Sequence, residues 1–114
     1  MKYHFEKSLK IINELMTYIH KLGATDINVN FKKENSTTIF LVWGKIKSIT
    51  NDELNNLNMI LNTHRQHEVE EYYWHLGGEE ESDEELALVG MMIDTAEIDY
   101  SNNILTLKIY RNDY

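Results

Sequence analysis

Along the first part of the chain the apolar residues recur as Phe5, Leu9, Ile12, Leu15 or Met16, Ile19 and Leu22, in steps of three and four. That period puts them on one face of an amphipathic helix. Gly23 supplies a left-handed residue to end it, and His20 and Lys21 suit the negative end of the helix dipole. The period then changes to two. Ile27, Val29 and Phe31 alternate with Asn28 and Asn30, the pattern of a strand with one wet face. Lys32 to Thr37 is polar and reads as a hairpin connection. Thr38-Ile39-Phe40-Leu41-Val42-Trp43, closed by Gly44, is β-branched and aromatic and apolar on both faces, which predicts a central strand buried on both sides or nearly so.

Thr50-Asn51-Asp52-Glu53 has the spacing of a capping box, and Leu54, Leu57, Ile60 and Leu61 continue at helical spacing. A break at Asn62-Thr63 precedes a second helical piece carrying Val69, Tyr72, Tyr73 and Leu76, which Gly77-Gly78 ends. Residues 79–83 read as a loop. Ser82-Asp83-Glu84-Glu85 is a second capping box, opening a short helix whose buried stripe is Leu86, Val89, Gly90 and Ile93. A glycine inside that helix points to close backbone approach, here expected toward the sheet. Ala96, Ile98 and Tyr100, then Leu105, Leu107 and Ile109, alternate as two strands around the Ser101-Asn102-Asn103 turn. The order helix, hairpin, helical middle, helix, hairpin predicts an α+β two-layer sandwich. Its sheet has four strands, largely antiparallel or mixed, with helices on one face, and residues 1–114 form one domain. Ile12, Ile19, Phe40, Leu41, Leu86, Val89, Leu105 and Leu107 are the expected core.

Composition narrows the chemistry. The 114 residues include no Cys and no Pro, which excludes disulfides, thiolate metal sites, cysteine nucleophiles and proline-rich linkers. No apolar run approaches the roughly 20 residues that span a bilayer, and the amino terminus has no signal-peptide core, so a cytoplasmic location is expected. The net charge is −8, and it is local. Residues 68–85 hold nine acids and no Lys or Arg, leaving the remainder at +1. Such a surface is unsuited to nucleic acid or an anionic membrane. It is either a solvated loop and helix edge or a docking patch for a basic protein, with Glu79, Glu80 and Glu81 at its centre.

Beside it, His64, His67, Glu71 and His75 would line one face if a single continuous helix carried them. That row would be either a set of exposed polar side chains or a weak metal site. Tyr72, Tyr73 and Trp74 are consecutive, so one helix face cannot bury all three; Tyr72 and Trp74 are candidate partner contacts. No serine lies in a nucleophile-elbow pattern, and no carboxylate pair sits in an apolar setting that would tune an acid.

The layout resembles the Bergerat-type ATP-binding domain of the GHKL class, which includes histidine-kinase catalytic domains and anti-sigma-factor serine kinases. The residues carrying the resemblance are the first hairpin, Ile27 to Gly44; the helix Leu86 to Ile93 followed by Asp94; and the closing hairpin, Ala96 to Arg111. The resemblance implies a nucleotide site, yet its positions are altered. Val42 stands where the family has its adenine-binding Asp. Gly44 keeps one motif glycine, but Ile46 replaces the second. Asn13 is the only Asn in the first helix and lacks the Glu four residues before it. Asp83-Glu84-Glu85 replaces the glycines that receive the phosphates, and carboxylates would repel a triphosphate. Trp43 is expected to fill the adenine space.

The sequence therefore leads to a bacterial regulatory protein acting by protein–protein contact, without cofactor or catalysis, on a degenerate kinase-like fold. A metal- or small-ligand-sensing module using His64–His75 is one alternative. A divergent ATP-dependent anti-sigma-type serine kinase is the other.

Overall fold

The computed structural model describes residues 3–74 and 83–113, without the side chains of 73 and 83–85. Helix α1 (His4–Lys21) leads into the hairpin β1 (Ile27–Glu34) and β2 (Thr37–Lys45). Helices α2 (Asn51–Leu61), α3 (His67–Tyr73) and α4 (Asp83–Met92) follow, then the hairpin β3 (Thr95–Ser101) and β4 (Ile104–Asn112). The four strands form one antiparallel sheet in the order β1-β2-β4-β3. Helix α1 packs on β1 and β2, α2 packs on β3, and α4 lies among α1, α2 and α3. The molecule is the α+β arrangement that the order of periods implies. The expected second capping box begins at residue 82 and falls outside the described residues.

Local chemistry explains the element ends. The Thr50 side chain accepts the Glu53 N–H at 3.1 Å while the Glu53 carboxylate accepts the Thr50 N–H, a complete capping box. Gly23, at φ 104°, turns the chain out of α1. Asn102 and Asn103, both left-handed, make the two-residue β3–β4 turn, and Asn35 opens the two-residue β1–β2 turn. The first hairpin is therefore longer than its sequence suggests, because Lys32, Lys33 and Glu34 continue the strand.

The core lies between the sheet and the helix layer: Ile11, Leu15 and Ile19 of α1, Phe40 and Val42 of β2, Leu57 and Leu61 of α2, Leu86, Val89 and Met92 of α4, and Leu105, Leu107 and Ile109 of β4. Five expectations are corrected. Ile12 and Leu41 are half-buried rather than core. Helix α1 is turned about its axis, so that Lys7, Ser8, Ile11, Glu14, Leu15 and Ile19 face inward while Phe5, Leu9 and Met16 are exposed. The helix sits against both the sheet and α4, and paired charges on its inner face let that face be buried.

Strand β2 is fully buried only on its helix side. Ile39, Leu41 and Trp43 lie on the other face and are half-buried, because helices cover one face alone. Trp43, paired between Asn28 and Thr106, thus points away from the helix layer and cannot fill a site beneath it. Finally, Gly90 permits close approach to α2, not to the sheet. A Cβ there would stand 2.1 Å from the Ile60 carbonyl oxygen, closer than any side chain tolerates.

Candidate functional site

The residues that the resemblance assigns to nucleotide chemistry lie on α1, β2 and α4. Val42 is at 0% exposure, in the apolar layer under the helices. Asn13 is exposed on α1 and faces away from that layer. Gly44 is retained for packing: a Cβ would meet the Asp26 carbonyl oxygen and Ile19 Cγ2 at 3.1 Å and Ala24 Cβ at 3.2 Å, so the α1–β1 connection occupies its inner side. Glu85 lies in the first turns of α4, and its side chain is outside the described residues.

The His/Glu row is divided. His64 is exposed in the α2–α3 connection, and His67 is the exposed first residue of α3. Glu71 turns to the ammonium of Lys7. His75, Glu79, Glu80 and Glu81 lie outside the described residues. Among the described residues no three His, Cys, Asp or Glu side chains come together as a metal site. Tyr72 is exposed, whereas Trp74 is partly covered and rests against Tyr3, ring centroids 5.7 Å apart.

Two features were not foreseen. The first is a charge cluster centred on Glu70. Its carboxylate accepts from Arg111 Nη1 and Nη2 at 3.0 and 2.8 Å, from Lys7 Nζ at 2.9 Å and from Arg65 Nε at 3.1 Å. Arg111 also donates to the Met92 carbonyl. Arg65 reaches Asp94 Oδ2 at 2.9 Å and the Asn112 carbonyl at 2.7 Å. Lys7, Glu70 and Arg111 are fully buried.

Burial alone would push the Glu70 carboxyl up. The Arg111 guanidinium, with Lys7 and Arg65, outweighs it and holds the group down at about 2. The cluster ties α1, α3, the end of α4 and β4 together, and its pairing satisfies charges that would otherwise be very costly to bury. One signal in the sequence announces it. Arg111 continues the inward alternation of Leu105, Leu107 and Ile109, and an arginine at an inward position requires a carboxylate.

The second feature is an exposed apolar strip. Phe5, Leu9 and Met16 on α1 and Val29 and Phe31 on β1 are all at least a third exposed. Phe31 stands edge-on to Phe5, centroids 5.8 Å apart, and stacks against Phe40 of the core at 6.3 Å. Four residues of helix advance about 6 Å and two of strand about 6.6 Å. Leu9 thus follows Phe5 along the helix at about the pitch at which Val29 follows Phe31 along β1.

No known protein family matches this chain, and no curated protein is recognisably related to it. Among the described residues no helix is long and apolar enough to cross a membrane.

Proposed function

We propose that this chain is a non-enzymatic regulatory protein that acts by binding another protein, built on a degenerate histidine-kinase-like ATPase fold that no longer takes nucleotide. The observation that carries the reading is the apolar strip of Phe5, Leu9, Met16, Val29 and Phe31. Each of these side chains gains by leaving water, and contiguous exposed apolar surface at the edge of a fold is characteristic of an interaction site. The exposed Tyr72, next to the Tyr3–Trp74 pair, adds aromatic surface at the amino-terminal end of α1. The acidic residues 79–85 favour a basic partner and quick, salt-sensitive encounter.

Loss of nucleotide chemistry is supported by Val42. An apolar side chain inside a packed layer offers no hydrogen bond to a base, and Asn13 is too far round α1 to complete a metal–phosphate site beside it. The kinase-like ancestry is supported by the order of elements and the one-sided helix layer.

The test has two arms. Titration calorimetry with millimolar ATP–Mg²⁺ is expected to show no saturable heat; a micromolar dissociation constant overturns the loss of the site. Affinity capture from the native host with the intact chain, and with Leu9→Glu, is expected to recover a partner only with the intact chain. An identical set of captured proteins overturns the role of the strip.

A further inference from the structure

The two edges of the sheet are not equally available. Both hairpins have two-residue turns, so the residues flanking each turn form a hydrogen-bonded pair and every second residue back from it faces the neighbouring strand. In β3 this leaves Ala96, Ile98 and Tyr100 with outward backbone groups. The structure bears out this parity: Asn62 Oδ1 accepts the Ala96 N–H and Asn62 Nδ2 donates to the Ala96 carbonyl, each at 3.0 Å. At Ala96 a side-chain amide stands in place of a further strand, while among the described residues no hydrogen bond reaches the outward groups of Ile98 and Tyr100.

In β1 the same parity leaves Ile27, Val29, Phe31 and Lys33 outward. Among the described residues no hydrogen bond reaches those groups. The strand runs eight residues with neither proline nor bulge. Two of its side chains, Val29 and Phe31, belong to the exposed apolar strip. An uncovered straight edge of this kind is a template for another strand.

The edge is complementary to itself in one register. We propose that β1 pairs antiparallel with β1 of a second copy about a two-fold axis through Val29, joining two sheets into one of eight strands. Val29 then faces Val29 of the second copy, and Ile27 faces Phe31. All three positions have outward N–H and C=O groups, so the hydrogen bonds form without any change in parity.

On the helix side, apolar residues meet apolar residues, and the Phe5–Leu9–Met16 strips of the two α1 helices flank the joint from both sides. On the open side, Asn28 faces Asn30. Asp26 faces Lys32, whose ammonium in the single copy lies 2.7 Å from the exposed Glu34. A shift of one step toward the turn would set Asp26 against Glu34 and Ile27 against Lys33. The opposite shift would leave Phe31 facing the polar Thr25 and Lys32 facing Ala24. The contact is isologous and closed, so it ends at a dimer.

This inference rests on the reading of the α1–β1 strip as an interaction surface, and it commits that surface to a second copy of the chain. Sedimentation velocity of the full chain, from micromolar to near-millimolar concentration, is expected to show a species of twice the chain mass. Val29→Lys, which sets two ammonium groups against each other on the axis, should leave a monomer with unchanged circular dichroism. Asp26→Lys and Lys32→Asp should each weaken dimerisation by about tenfold, the worth of a well-placed charge pair. The combined Asp26→Lys/Lys32→Asp chain should recover it.

A single species of one chain mass at every concentration overturns the dimer. So does a dimer indifferent to Val29→Lys, which would lie elsewhere. If the chain is monomeric and Leu9→Glu still abolishes capture of a different protein, the dimer fails and the proposed function stands. If the dimer forms as described and no other protein is captured, the reverse holds.

Discussion

Strands β1 and β3 are the two edges of one sheet, formed by hairpins with turns of equal length, yet they end differently. Beyond β3 lies α2, whose terminal Asn62 closes the free backbone groups of Ala96. The outer face of β3 carries Glu97 and Asp99, which discourage another strand. Among the described residues the flank of α1 lies beside β1, and it is apolar. The buried Glu70 cluster joins α1, α3, the end of α4 and β4, and its polar groups are paired within the molecule. On the bare side the apolar groups are left without cover. The described helices cover one face of the sheet and do not close the β1 edge. The edge left over is the one whose chemistry suits contact with another molecule.

The largest test of this contrast is Glu70→Ala. It leaves Arg111 buried without its carboxylate and Lys7 with Glu71 alone, and a loss of about 3–5 kcal/mol is expected in urea unfolding. A loss within the ordinary range of a surface change would remove the cluster's claim to tie those elements together.

The same group sets an acid limit. Its carboxyl lies at about 2 in the folded chain against 4.5 in the unfolded one, so its contribution is complete above pH 4.5 and is lost as pH falls toward 2. About 3 kcal/mol should disappear across that window, and Glu70→Gln should flatten that part of the stability–pH curve.

Asn62→Ala opens the β3 edge and should cost about 1–2 kcal/mol, with faster hydrogen exchange at the Ala96 amide. Unchanged exchange at Ala96 would mean that the edge is closed by something other than the amide. Smallest is Phe31→Ala on the bare edge. Its ring is 41% exposed and touches Phe5 and Phe40, so a loss near 1 kcal/mol is expected in the isolated chain. A loss as large as that of Glu70→Ala would show that the strip is core rather than surface.

Much of this architecture is legible along the chain. The change of period from helix to strand, the capping box at Thr50, the left-handed residues at Gly23 and at Asn102-Asn103, and the alternation in β4 each act over a few neighbouring residues. Each can therefore be read without knowing what lies across the fold. The candidate surface was less legible. Phe5, Leu9, Met16, Val29 and Phe31 all have the spacing of core residues, and the amphipathic pattern gives no sign that they stay exposed. Glu70 is one acid in a run of acids, and Lys7 one lysine on a helix.

By itself, then, the sequence determined which segments are helix and strand and which face of each strand is apolar, because those follow from local sterics and a repeat of two or three and a half residues. The tertiary structure decided the rotation of α1, the pairing of Lys7, Arg65 and Arg111 around Glu70, and which edge of the sheet is covered. Those depend on contacts between residues far apart in the chain, such as Lys7 with Glu71, 64 positions away. Burial of a charge is tolerable only when its partner arrives from elsewhere in the chain. Exposure of an apolar strip depends on whether any helix remains to cover it.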